Sequence, residues 1–168
     1  MTENTTLDWL KRSGLAQLSM DEINAITDFT FLWSLFEGRL LSESCSVAKL
    51  LSLVDSIEAR AAVRHDAFDA ASSHFRQRYF DGENFTVAFE GLHLRRNDRQ
   101  DVVESFLRNS PENKATTLKG LLIIIYRLRN NLFHGLKWSY GIADQLKNFS
   151  HANSVLKGTI ELHNANPI

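Results

Sequence analysis

Apolar residues recur at intervals of three and four along most of the chain, which is the spacing of one face of an α-helix. Ser19 and Glu22 precede the first such stripe and are placed to form a capping box at a helix start. The stripe comprises Ile26, Phe29, Trp33, Phe36 and Leu40, with Phe31, Leu32 and Leu35 widening it. We therefore expect a first long helix that is buried on most sides.

Two further helical segments are predicted before residue 112. One begins near Val47 and runs through Ile57, continues less clearly through the alanines towards Tyr79, and ends at the turn signal Asp81-Gly82. The other covers residues 85–94 and 102–107, either as one helix or as two separated by the polar cluster at residues 95–98, and ends at Asn109-Ser110-Pro111. The pattern leaves both possibilities open for the second segment.

The clearest helical stripe begins at Thr117 and is followed by Gly135, a residue that is common just past a helix end. It consists of Leu121, Ile125, Leu128 and Leu132. The β-branched run at residues 123–125 raises the alternative of a buried strand, which we reject because the helical spacing lasts about four turns, longer than a typical strand. A last helix is predicted from about Ser139, with Ile142, Leu146, Phe149, Leu156 and Ile160 on its apolar face.

No segment alternates convincingly between apolar and polar residues with period two, so helices account for the whole pattern. The only prolines are Pro111 and Pro167, and no repeat, low-complexity tract or Gly/Ser linker divides the chain. A chain of 168 residues, 43% hydrophobic, is long enough to bury one core. We predict one all-α domain over residues 1–168, an antiparallel helical bundle of about five main helices.

Composition narrows the classes of protein that fit. The longest apolar run, residues 121–125, is far shorter than the roughly 20 residues of a membrane-spanning helix, and no charged leader precedes an apolar stretch. The single cysteine, Cys45, excludes an internal disulfide and a Cys-x-x-Cys zinc site. We expect a cytoplasmic protein without a membrane segment, metal or other cofactor.

The net charge of −1 conceals a positive segment. Residues 1–43 hold seven acids and three bases, whereas no acid lies between Glu112 and Asp144. The bases of that segment are Lys114, Lys119, Arg127, Arg129 and Lys137. Such a segment can attract RNA, because Lys and Arg neutralise phosphates, although charge alone is better explained by a solvated helix face.

Candidate chemistry concentrates at the end of the clearest helix, since the other five histidines stand singly in polar or mixed surroundings. Helical spacing places Arg127, Asn130, Asn131 and His134 on one face as a polar ridge. Arg129 lies about 140° from His134 around an ideal helix, but its long side chain can approach the imidazole where the helix unwinds. Spacing alone favours surface or capping roles for these groups, with His134 at the negative end of the helix dipole.

The segment Arg129-Asn130-Asn131-Leu132-Phe133-His134-Gly135 resembles the signature of the HEPN superfamily, in which an Arg, four to six residues and a His follow one another. The residue after that Arg is usually polar in the family, as Asn130 is here. Arg127 also satisfies the loose spacing, and we choose Arg129 because of its polar follower. Residues 121–138 as a whole resemble a group of bacterial HEPN proteins, which agrees with an all-helical fold.

The resemblance implies a metal-independent endoribonuclease, in which the ribose 2′-hydroxyl attacks its own phosphate and leaves 2′,3′-cyclic phosphate and 5′-hydroxyl ends. His134 would exchange protons, Arg129 would hold the phosphoryl oxygens, and Asn130 would orient the His or the phosphate. Arg127, Asn131 and Lys137 are expected to bind RNA. Glu37 resembles the acidic residue that many HEPN helices direct towards the site, although a helical Glu is more often simply solvated.

The resemblance also implies partners. HEPN relatives commonly form homodimers with two motifs facing each other, and Phe133, Leu136 and Trp138 are apolar residues available for such an interface. A toxin or phage-defence role would add an antitoxin or defence protein, although Leu136 replaces the Tyr of some neutralised toxins. Two alternatives stay open: a non-catalytic HEPN module that binds a nucleotide or a partner protein, and a structural helical adaptor.

Overall fold

A computed structural model of the chain describes residues 5–10, 12–13, 18–109, 113–134 and 145–165. Over these ranges the regular structure is helical, and the one β pairing is an isolated bridge between Phe80 and Phe85. The predicted all-α class is confirmed. None of the helices described combines the length and apolar character that crossing a bilayer requires.

The helices run in chain order as α1 (Thr5–Leu10), α2 (Met20–Leu40), α3 (Val47–Glu58), α4 (Asp66–Tyr79), α5 (Val87–Glu90), α6 (Gln100–Arg108), α7 (Lys114–Phe133) and α8 (Leu146–Ala165). Several begin where the sequence places a cap. The Ser19 side chain accepts the Glu22 N–H and the Glu22 carboxylate accepts the Ser19 N–H, which is the capping box predicted for α2.

The helix count in the described ranges exceeds the predicted five because two segments are divided and because α1 precedes the first predicted helix. The second predicted helix is two helices, since α3 ends at Glu58 and α4 begins at Asp66 after its N-cap His65, whose Nδ1 accepts the Ala67 N–H. The next segment is broken at its polar cluster, where the buried Asp98 accepts the Arg95 N–H. Gly135 and Ser139, the predicted end of one helix and start of the next, and Ile142, a predicted apolar-face residue, lie outside the described residues.

The core is built around α7, which packs against α3, α4, α6 and α8, while α2 packs mainly against α8. All five residues from Leu121 to Ile125 are fully buried. A helix surrounded in this way needs no polar face over that stretch, which explains the continuous apolar run. The strand alternative is therefore wrong, because α7 continues from Lys114 to Phe133.

Gly120 sets the distance between α6 and α7. A Cβ built at this position would lie 2.6 Å from the Cβ and Cγ atoms of Phe106, which is closer than non-bonded carbons can approach. The absence of a side chain at Gly120 therefore lets the Phe106 ring pack directly on the α7 backbone. Gly38 in α2 has the opposite surroundings, with nothing within 4 Å of such a Cβ.

We predict opposite effects of the same substitution at these two glycines. Gly120→Ala should lower the free energy of unfolding by about 1–3 kcal/mol, because Phe106 and α6 must move. Gly38→Ala should raise it by about 0.5–1 kcal/mol, because alanine is the better helix former and meets no neighbour. Urea unfolding followed by circular dichroism measures both. A Gly120→Ala variant as stable as the parent would contradict the close approach of α6.

Candidate functional site

The polar residues in the last two turns of α7 lie in three different environments. Arg127 and Asn131 are 2% and 1% exposed and Asn130 is 6% exposed, whereas His134 is exposed. Arg129 lies between these extremes, with 29% of its side chain exposed. The predicted polar ridge therefore does not face solvent as a unit, because residues 91–98 cover the part of it that contains Arg127 and Asn131.

Arg127 is bonded on the inside of this cover. Its Nη1 lies 3.3 Å from Asp98 Oδ2, and its Nε donates to the Leu92 carbonyl at 3.1 Å. Asn131 Nδ2 donates to the carbonyls of Gly91 at 3.1 Å and Leu92 at 3.3 Å. Burial lowers the pKa of Arg127, and the Asp98 carboxylate opposes this effect.

Neither Arg127 nor Asn131 is presented to a ligand in this structure, contrary to the surface position that an RNA-binding role requires. The physical reason is that both side chains satisfy backbone and carboxylate groups of residues 91–98 inside the protein. The burial of Arg127 favours Arg129 over Arg127 as the arginine of the motif. Arg129 is the one with access to solvent.

Arg129 lies on another side of α7, against α2. Its Nη1 donates to Asn130 Oδ1 at 3.0 Å, and its Nη2 lies 3.9 Å from Glu37 Oε2, an ion pair longer than a hydrogen bond. The guanidinium carbon is 5.8 Å from the centre of the Trp33 ring and 5.3 Å from that of Phe133, which is 54% exposed. Two aromatic rings, an amide and a carboxylate thus fix the guanidinium.

Glu37 is held in place from α2 rather than solvated at the surface. Its Oε2 accepts from Trp33 Nε1 at 3.2 Å, and its Oε1 accepts the Cys45 backbone N–H at 2.9 Å. The carboxylate therefore joins the α2–α3 connection to the end of α7. The expectation that this acid is simply solvated is wrong, because its side chain is only 20% exposed.

Cys45 and Lys49 also belong to these surroundings, although no pattern in the sequence indicates that they do. The pKa of the Cys45 thiol is raised to about 12, chiefly by burial and next by the Glu37 carboxylate, while Arg129 and Lys49 lower it. Lys49 Nζ donates to the carbonyls of Leu41 and Ser44, each at 3.0 Å, and so fixes the α2–α3 turn. The thiol is protonated near neutral pH and is a poor nucleophile.

His134 caps the C-terminal end of α7. Its N–H donates to the Asn130 carbonyl at 2.9 Å, and its ring is exposed. His134 follows Arg127 by seven residues and therefore lies roughly 20° from Arg127 around the helix. This is the side of α7 that faces Gly91 and Leu92. Arg129 lies about 140° away, and among the residues described here no hydrogen bond joins Arg129 to His134.

The end of the motif continues beyond the described residues. Outside them lie Lys137, a predicted RNA contact, and the predicted interface residues Leu136 and Trp138.

In the ranges that are described, no group of three His, Cys, Asp or Glu side chains is arranged to hold a metal ion.

Comparison of the chain with models of known protein families, with curated proteins and with solved structures returns no match. The chemistry available to the site is therefore defined by its own residues. These are a guanidinium fixed between two rings, an amide and a carboxylate beside it, and an exposed imidazole at the end of the same helix.

The Cys45 thiol can report on the electrostatics of this site without any assay of activity. Because Glu37 raises the pKa of Cys45 and Arg129 lowers it, Glu37→Gln should lower that pKa and Arg129→Met should raise it. Asp55→Asn, which removes an exposed carboxylate of α3, should leave it unchanged.

The measurement is the rate of Cys45 alkylation by iodoacetamide between pH 7 and pH 11, read on the only cysteine-containing peptide by mass spectrometry. The rate should still be rising at the upper limit in the parent protein, because thiolate forms only as the pH approaches the raised pKa. A midpoint near 8.5, the value of an unperturbed thiol, would contradict the described surroundings.

Proposed function

We propose that the protein is a metal-independent HEPN-type endoribonuclease with Arg129 and His134 as its catalytic residues and Asn130 as the residue that positions Arg129. It would cleave RNA in the cytoplasm and leave 2′,3′-cyclic phosphate and 5′-hydroxyl ends. The observation that carries the proposal is the exposed His134 at the end of α7, five residues after a guanidinium that the fold fixes at the surface. The resemblance of this segment to the HEPN motif supports the same conclusion.

The proposed reaction needs proton transfer and stabilisation of negative charge. The ribose 2′ oxygen bonds to phosphorus while the bond from phosphorus to the 5′ oxygen of the next nucleotide breaks. The 2′-hydroxyl gives up its proton, and the leaving 5′ oxygen takes one up. An imidazole can accept the first proton and donate the second near neutral pH. Because Arg129 Nη2 lies 3.9 Å from Glu37, beyond hydrogen-bond distance, the N–H groups of the guanidinium can still bind phosphoryl oxygens.

The nearly buried Asn130 acts through Arg129 in this scheme. Its Oδ1 accepts from Arg129 Nη1, which limits rotation of the guanidinium. The Glu37 carboxylate of α2 faces Arg129 and is held in place by two hydrogen bonds, from Trp33 and from the Cys45 N–H. The positive group is thereby positioned before a phosphate arrives, which is what efficient electrostatic catalysis requires.

A non-catalytic HEPN module that binds a nucleotide is the second candidate. It is favoured by the aromatic surroundings of Arg129, because a base can stack on the exposed Phe133 while its phosphate meets the guanidinium. This candidate needs no contact between Arg129 and His134. Turnover of RNA distinguishes the two functions.

A homodimer with a composite site is part of the proposal. Arg129 and His134 leave α7 in directions about 140° apart, so two copies of the helix end facing each other would let the Arg of one chain approach the His of the other. The exposed Phe133 beside Arg129 offers apolar surface at this end of α7. A toxin or phage-defence role, with an antitoxin or defence partner, rests on the motif alone.

The first prediction of the proposed function concerns catalysis. His134→Ala and Arg129→Ala should each lower RNA cleavage at least about 100-fold, since each removes a group that acts in the transition state. His163→Ala and Arg39→Ala are the matched controls and should cleave as the parent does. Purified variants are assayed on total RNA in excess EDTA, and the product ends are identified chemically.

His134→Ala should also leave the melting temperature nearly unchanged, because the ring is exposed. Full cleavage by both site variants would exclude the catalytic assignment. Cleavage that depends on an added divalent ion, or products that carry 5′-phosphates, would indicate a different mechanism.

The second prediction concerns the shared site. Light scattering should give a particle of twice 19.1 kDa. Mixing Arg129→Ala and His134→Ala chains should restore part of the cleavage, because half of the sites in a mixed dimer combine an intact Arg with an intact His from different chains. An active particle of monomer mass, or a mixture as inactive as its components, would refute the composite site.

A further inference from the structure

The segment of residues 91–99, here called the basic loop, is fixed to α7 from the inside. Arg127 bonds to Asp98 and to the Leu92 carbonyl, and Asn131 donates to the carbonyls of Gly91 and Leu92. The Asp98 carboxylate also accepts the Arg95 N–H at 2.7 Å, while the Asp98 N–H donates to the Arg95 carbonyl at 2.9 Å. The path of this loop is therefore determined by buried polar groups of α7.

The charge that the basic loop presents to solvent is positive. Its acid, Asp98, is buried against Arg127, whereas Arg95, Arg96 and His93 are exposed. Arg99 is neutralised by Asp101, at 2.8 Å, immediately after the loop. Arg95 and Arg96 are left as adjacent outward charges, and no salt bridge to either is found within the described ranges.

The loop lies next to the end of the helix that carries the motif. Asn131 contacts both Gly91 and Leu92, and His134 follows Asn131 by three residues, so it lies on the same side of α7 one turn later. The buried side chains of Arg127 and Asn131 thus hold the basic loop on the side of α7 that carries His134. Arg129 and Glu37 lie on a different side of the helix.

The buried pair of Arg127 and Asp98 anchors the basic loop to α7. Replacing a buried ion pair by apolar residues of similar volume is often neutral or stabilising, so a buried Arg–Asp pair is weak evidence for a stabilising role. What the pair does impose is one position for the loop. Arginines carried on a loop with a fixed backbone suit phosphate recognition, because the planar guanidinium binds phosphate oxygens in pairs.

We propose that the basic loop binds the RNA backbone beside the cleavage site, with Arg95 and Arg96 contacting phosphates next to the one that reaches His134. This inference rests on the proposed function, since it takes RNA as the substrate of the same site. In this proposal Arg95 and Arg96, and not Arg127 and Asn131, contact the RNA directly. Arg127 and Asn131 instead position the loop. Contacts of this kind carry no base specificity.

The test is equilibrium binding of a fluorescent single-stranded RNA of mixed sequence, followed by anisotropy over a range of NaCl concentrations. All chains carry His134→Ala, so that RNA is not consumed. The Arg95→Ala/Arg96→Ala variant should bind about tenfold or more weakly at low salt. The slope of log affinity against log salt should fall by about 1.4, because each lost phosphate contact on a single strand contributes about 0.7.

The matched control is Arg39→Ala/Arg64→Ala, which removes the same charge from exposed arginines of α2 and of the α3–α4 connection. It should leave affinity and slope close to those of the parent. Equal losses in the two double variants would show a general effect of net charge and overturn the proposal. Unchanged binding after Arg95→Ala/Arg96→Ala would overturn it as well.

The outcomes separate this inference from the nuclease proposal. If the chain with His134 intact cleaves RNA while the loop variant binds normally, only the loop assignment fails. If no cleavage is found but the loop variant alone loses binding, the loop assignment stands and the protein is a non-catalytic RNA-binding module. If the His134→Ala chain and its parent neither bind nor cleave RNA, both proposals fail.

Discussion

The end of α7 is organised by the burial of one guanidinium. A charge removed from water must be given a partner inside the protein, and for Arg127 that partner is Asp98. Asp98 can reach it only if the chain between α5 and α6 folds back onto α7. The path of that connection, the helix break that sequence patterns left open, and the burial of Asn131 all depend on this requirement.

Arg129, two residues later, lies on another side of α7 because a helix turns by about 200° over that distance. It meets α2 instead of residues 91–98, and its partners are Glu37, Trp33 and Phe133 at the edge of the core. One arginine thus contributes to architecture and the other is available for chemistry. A short motif that counts residues between Arg and His cannot distinguish them, whereas their surroundings can.

Local signals predicted much of the fold. The Ser19 and Glu22 cap, the stripe of α7 and the Asp81-Gly82 turn are all determined by neighbours in sequence, and the structure contains each of them. The candidate site was predicted less well because its contacts are long-range. Periodicity treats Arg127 and Asn131 as an outward face, since nothing nearby in sequence shows that Gly91, Leu92 and Asp98 will cover them. Nor does it show that Glu37 will meet Arg129.

The pairing of Arg127 with Asp98 also limits how such a chain can diverge. Losing either partner alone leaves a buried charge uncompensated, at about 3–5 kcal/mol, a large share of the 5–15 kcal/mol that stabilises a typical domain. Positions 98 and 127 should therefore be inherited as a unit, kept together or exchanged together for an apolar pair. Arg129 is partly exposed and its pair with Glu37 is long, so it is under a weaker constraint of this kind, whereas Glu37 also accepts hydrogen bonds from Trp33 and the Cys45 N–H. Persistence of Arg129 in descendants would therefore reflect selection on what the site does.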